Sequence, residues 1–249
     1  MPGLPRTFVV RIAIGLATAV TFMALALFTG PASAADLAQP FRAPAPSVPL
    51  AFSWTGFYIG GDVGYARGYD STAEYLTVGN IFTGFYPHYD INGGLGGLYA
   101  GYNYQFGMAL LGIESDIELA NLNGGFVDQG VGGAGTTHLD WQGSLRGRLG
   151  FTVDRVLFYG TGGLAFADVN HLYTNLLTGV AENNAGFRTG WTAGAGIEVA
   201  VLPNLLARIE YRYTDYGPYN FNSLTAFPGF SGVQEPRFSA LRIGAAYKF

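Results

Sequence analysis

Three histidines and no cysteine leave this chain few groups that could do chemistry. Thiolate nucleophiles and thiolate metal sites are excluded outright. His138 stands two residues from Asp140, on the same face of an extended segment, and is the one acid/base pairing worth naming. A hydrolytic site would need a nucleophile within hydrogen-bond reach of that imidazole. A solvated pair at a rim needs nothing more, and that is the reading adopted. No two histidines share a ligand spacing, so neither a metal nor a cofactor is expected. The remaining charges are more informative. Glu114, Asp116 and Glu118 occupy every second position, as do Arg146 and Arg148, and Arg208, Glu210 and Arg212, with Glu198 and Arg242 completing the set. A like-signed row would line a path for ions. Interleaved signs on neighbouring segments instead form a closed network of ion pairs and hydrogen bonds.

Spacing by two is the spacing of a strand, whose successive side chains point to opposite faces. His138–Val153 shows it best. One row is Leu139, Trp141, Gly143, Leu145, Gly147, Leu149, Phe151 and Val153; the other is His138, Asp140, Gln142, Ser144, Arg146, Arg148, Gly150 and Thr152. The same alternation recurs in Phe57–Tyr65, Leu98–Tyr104, Leu111–Leu119, Trp191–Val201, Leu205–Tyr213 and Leu241–Phe249. In Val156–Ala167 the two faces are alike and the register stays open. Phe106-Gly107, Asp154-Arg155 and Leu202-Pro203-Asn204 join alternate neighbours, while the other connections are long. Short turns at one end and long loops at the other mark a membrane barrel, apolar rows toward lipid and polar rows toward the lumen. Backbone in lipid must satisfy all of its hydrogen bonds, so such a sheet must close. The expectation for residues 53–249 is an all-β, eight-stranded, antiparallel up-and-down transmembrane barrel, placed in the bacterial outer membrane.

The preceding residues read as an address and a tether. Arg6 and Arg11, the apolar run Ile12 to Phe28, and Ala32-Ser33-Ala34 predict a secretory signal over residues 1–34. Its removal takes away two arginines and no acid, so the remainder is more acidic than the whole chain's net −4. Residues 35–52, with Pro40, Pro44, Pro46 and Pro49, predict an extended periplasmic linker. Mean hydropathy is +0.22 with only 12% charged residues, unusual for a soluble exported domain. The 38 glycines, 19 phenylalanines and 16 tyrosines suit strands, tight turns and interfacial aromatics. A single lysine, Lys248, and net negative charge argue against nucleic-acid binding. The tail Arg242–Phe249, with Gly244, Tyr247 and terminal Phe249, resembles the signal read by barrel-insertion machinery.

Several motifs carry a family likeness. Trp54-Thr55-Gly56-Phe57-Tyr58-Ile59-Gly60-Gly61 opens the first strand, Gly101-Tyr102-Asn103-Tyr104-Gln105 closes the second, and Gly112-Ile113-Glu114-Ser115-Asp116 begins the third. Gly147–Phe151, Tyr159–Ala165, Gly190–Glu198 and Glu210–Tyr213 continue the pattern. Together they resemble the small outer-membrane β-barrel proteins of the porin family, the OmpA-like type abundant in alphaproteobacteria. That resemblance implies an envelope protein in contact with outer-membrane lipid and lipopolysaccharide. An eight-stranded barrel is only wide enough for its own side chains, so the expected role is structural and non-enzymatic, with a plugged lumen. The alternatives are a narrow porin for ions or small solutes and a surface ligand-binding protein. For the latter, the aromatic stretches Ile81–Tyr89, Tyr216–Phe221 and Phe227–Phe230 would hold a hydrophobic ligand or host factor, such as a haem-like ring near Tyr86 and His88. The plainer expectation is that these rings extend the interfacial girdle.

Overall fold

A computed structural model describes residues 52–129 and 132–249; the expected signal and all but the last residue of the expected linker lie outside the described residues. Eight long strands carry the fold: β1 (Gly56–Leu76), β3 (His88–Phe106), β4 (Ala109–Asp128), β5 (Gly133–Val153), β6 (Val156–Asn175), β8 (Gly186–Ala200), β9 (Leu205–Asp215) and β12 (Arg237–Lys248). Each pairs antiparallel with its neighbours, and β1 pairs with both β3 and β12, so the sheet closes into a ring. Short strands β2 (Ile81–Phe82), β7 (Ala181–Asn183), β10 (Tyr219–Asn222) and β11 (Phe230–Gln234) extend the wall at the long-loop end.

The turns follow from local chemistry. Gly107 and Asp154 both take positive φ, 64° and 51°, as the two-residue hairpins at the short-turn end require. Asp is among the few residues with a side chain that tolerate that region. The apolar rows face out: on β5, Leu145, Leu149, Phe151 and Val153 are exposed, while Ser144, Arg146 and Arg148 are buried. On β6 the open register resolves with Leu157, Tyr159, Ala165, Ala167 and Val169 turned inward.

One row departs from its expected phase. Pairing slips between Leu119 and Leu122 on β4 and between Leu139 and Trp141 on β5. A bulge adds one residue without advancing the ladder, so the alternation changes sign across it. Leu139, expected to face lipid, is therefore buried inside, and His138 and Asp140, expected on the lumen row, lie outside. Most strands also run well past the apolar segments seen in the sequence. Above the hydrocarbon, both faces meet water or polar neighbours, so the sheet continues where the hydropathy alternation fades.

Candidate functional site

The lumen is filled in layers. At the short-turn end Trp54, which precedes β1, is fully buried against Tyr58, Tyr99, Leu110, Leu157 and Leu206. Its backbone N–H donates to Gln105 Oε1 at 2.8 Å and its indole N–H to the Asp154 carbonyl at 3.3 Å. Those bonds pin the ring across the mouth, and Phe52 stands edge-on to it at 5.0 Å.

The next layer is ionic. Arg146 donates to Glu114 Oε1 at 2.5 Å, to Asp116 Oδ2 at 3.0 Å and to Glu210 Oε1 at 2.8 Å. Arg148 donates to Glu198 Oε2 at 2.6 Å and to the Tyr58 hydroxyl at 2.8 Å. Arg208 bridges Glu114 Oε2 and Asp62 Oδ2, both at 2.8 Å, and Arg212 bridges Asp116 Oδ2 and Glu118 Oε2, both at 2.7 Å. Arg242 also donates to Glu118 Oε2 at 2.7 Å. Aromatic faces cover two of these guanidiniums: Arg148 lies 4.1 Å from the Tyr159 centroid and Arg208 3.3 Å from that of Tyr99, contacts that help offset the loss of water. Room for the rings comes from glycine. A Cβ on Gly196 would sit 2.6 Å from the Tyr159 ring, and one on Gly101 would overlap the Tyr58 hydroxyl.

All ten charges singled out from the sequence therefore meet in one buried layer; Arg146 pairs with Glu114 and Asp116 on the neighbouring strand as strand order suggests, but the charges of β8, β9 and β12 do not pair that way. Glu198 and Arg208 are register neighbours, as are Glu210 and Arg242. Glu198 is instead held by Arg148, Glu210 by Arg146, and Arg208 and Arg212 on β9 reach Glu114, Asp116 and Glu118 on β4. In the ring, β4 and β9 are four places apart in either direction. The bonds cross the lumen. Asp62, Tyr58, Tyr99 and Tyr159 belong to the layer and were missed; the first three lie on inward rows, the signal that could have found them, whereas Tyr159 lies on the strand whose two faces are alike.

Above the charges comes an apolar band of Ala66, Ile91, Leu95, Leu122, Leu139 and Phe238 with neighbouring alanines. Over it sits a compact polar node. Asp70 Oδ2 accepts from Tyr89 at 2.9 Å, Thr137 at 2.7 Å and Gln234 at 2.5 Å. Thr137 Oγ1 is also 2.7 Å from His171 Nδ1. A hydroxyl between a carboxylate and an imidazole resembles part of a hydrolytic set, but Thr137, Asp70 and His171 are all buried. His171, outside the alternating segments seen in the sequence, lies on β6, facing the lumen. Its neighbours Asn170 and Thr174 are polar as well, so no alternation announced the strand. His138 and Asp140 do form a pair, Nε2 to Oδ1 at 3.1 Å, with both side chains about half exposed.

The aromatic loops divide. Ile81, Phe82 and Tyr86 are exposed, whereas Phe221 is buried at the mouth and Tyr216 deeper, in the apolar band against Phe238. His88 stacks on Tyr69 at 5.7 Å and meets Tyr86 edge-on at 4.8 Å.

A closed eight-stranded ring with apolar rows outside and charges inside matches one known family throughout its length: the outer membrane protein beta-barrel domain, over residues 20–249. The chain belongs to that family. Among outer-membrane barrels similar to it, the 31 kDa outer-membrane immunogenic protein of Brucella melitensis is 34% identical over 245 residues, covering 90% of this chain and 96% of that protein. The 25 kDa outer-membrane immunogenic protein of Brucella abortus is 32% identical over 233 residues, covering 91% and 94%. The solved outer membrane protein OprG of Pseudomonas aeruginosa shares the barrel fold with a TM-score of 0.50 at 14% identity, over 78% of this chain and 96% of that one. Like these proteins, this barrel resides in the outer membrane.

Proposed function

We propose that this outer-membrane barrel is a structural, non-catalytic component of the envelope whose lumen is closed by its own charge network. The observation that carries the reading is the set of guanidinium–carboxylate bonds spanning from β9 to β4 above Trp54. Ions of either sign would have to break charge-assisted hydrogen bonds to pass. The rim position of His138 and Asp140 and the burial of Thr137 support a role without catalysis. In this reading the outward rows contact outer-membrane lipid and lipopolysaccharide, and insertion machinery reads the tail, where Tyr247 and Phe249 face outward. Relatives named as immunogenic fit loops presented at the cell surface. Planar-bilayer recording tests the closed lumen: the parent should stay silent, and Arg146→Ala/Arg148→Ala should open. Large uniform openings from the parent would make the protein a channel and sink the proposal.

A further inference from the structure

The extracellular mouth contains a cavity of about 330 Å³, near the lower bound for sites that hold small ligands. Its lining includes Thr72, next in the chain but one to Asp70, and Tyr173, whose ring lies 4.2 Å from that of His171. The walls come from round the ring: Phe85 and Phe126 on one stretch, Tyr173 on β6, Phe221 on β10, and Phe227 and Phe230 from the last outer loop. Two ring pairs are already packed, Phe85 with Phe126 at 5.8 Å and Tyr173 with Phe221 at 4.8 Å. Glycines seat two of these rings, since a Cβ on Gly232 or Gly135 would run into Phe221 or Phe126 respectively. The pocket is thus formed in advance of any ligand.

Its charge is one-sided. Among the described residues, Glu74 is the one carboxylate in the lining, and no lysine or arginine accompanies it. Most of the lining's polar atoms are already engaged. Tyr173 donates to Thr72, Ser223 donates to Glu182, Asn175 donates to the Ala226 carbonyl and accepts from Leu177 and Thr178, and Glu74 Oε1 accepts from Thr83. A ligand selected here must be recognised by shape and charge, with little help from free hydrogen-bonding groups. Aromatic faces beside a carboxylate attract a cation that has no donors of its own to satisfy.

We propose that this cavity is a binding site for a small organic cation bearing a trimethylammonium group. The site does not depend on whether the lumen beneath it conducts.

Calorimetry on the full-length protein in maltoside micelles tests this, using choline and its uncharged isostere 3,3-dimethylbutan-1-ol. Choline should bind saturably and the alcohol at least about tenfold more weakly, the factor expected for losing one charge contact. Glu74→Gln should weaken choline by about tenfold and leave the alcohol unchanged. Phe221→Leu should weaken both. The Arg146→Ala/Arg148→Ala variant should bind choline like the parent, which separates this site from the plug. Glycerophosphocholine distinguishes the sources of the cation: tighter binding than choline assigns a lipid headgroup, weaker binding a free solute. No saturable heat from choline, an alcohol that matches it, or a folded Glu74→Gln that binds as well as the parent would each overturn the proposal.

Discussion

Glu114 and Asp70 are both carboxylates buried inside the same barrel, and they are satisfied by opposite means. Glu114 is met by Arg146, Arg148 and Arg208, with the Tyr58 hydroxyl donating at 2.8 Å. Asp70 is met by three neutral donors, Tyr89, Thr137 and Gln234. The first solution needs long side chains that reach across the lumen and fill it as they do so. The second uses shorter groups gathered at one level, and above them the mouth stays open as a cavity. Ion pairing in a dry interior costs several kcal/mol of desolvation per ion and is recovered only through good geometry. Neutral donors avoid much of that cost but supply no counter-charge. Where the barrel crosses lipid its interior is packed with paired charges; where it rises beyond lipid its interior is polar, meets its carboxylate with neutral donors and is partly hollow.

The largest test of that contrast is Arg146→Ala. It takes from Glu210 its guanidinium partner and from Glu114 and Asp116 one of several, and should cost about 3–5 kcal/mol, read as a lower urea midpoint for loss of the folded band in unheated gels. Thr137→Val removes one of three donors to Asp70 and should cost less, about 1.5–3 kcal/mol by the same measurement. Equal losses would mean that the two carboxylates are held alike. Gly101→Ala pushes a methyl into Tyr58 within the ionic layer and should cost about 1–3 kcal/mol. Gly160→Ala on the outer wall, where the nearest atom would be 3.8 Å away, should be tolerated.

The smallest effect is expected outside the membrane, at Glu182. Burial raises its carboxyl, but the N–H groups of Leu224, Thr225 and Ala226 and the Ser223 hydroxyl together outweigh it and pull it down to about 2. Being depressed, it steadies the loop fully above the ordinary value of 4.5 and loses that hold as pH falls toward about 2. Glu182→Gln should speed amide exchange at residues 224–226 at neutral pH and leave the urea midpoint unchanged. The difference from the parent should shrink in acid.

Much of the architecture is legible in alternation alone. A row such as Leu145, Leu149 and Phe151 opposite Arg146 and Arg148 admits one orientation in a lipid-spanning sheet, because a charge on the outer face has no water to meet. Tyr58 and Asp62 sit on the inward row of β1 and were equally readable by counting from Phe57. His171 was not, because above the lipid both faces carry polar groups and the period loses its contrast. Leu139 misled for a different reason: nothing in its neighbourhood announces the bulge that reverses the phase between Leu139 and Trp141.

Composition and a period of two thus settle the barrel, its membrane and, within the lipid-spanning stretches whose two faces differ, which residues are inside, since those depend on local geometry and on the solvent each face meets. Which arginine holds which glutamate depends on closure. Only when β1 meets β12 do β4 and β9 come to face each other across the lumen, and only then do Arg208 and Arg212 find nearer partners on the far wall than beside them. The stopper at Trp54 and the cavity at the other end arise in the same way, from residues distant in sequence that ring closure brings to a common level.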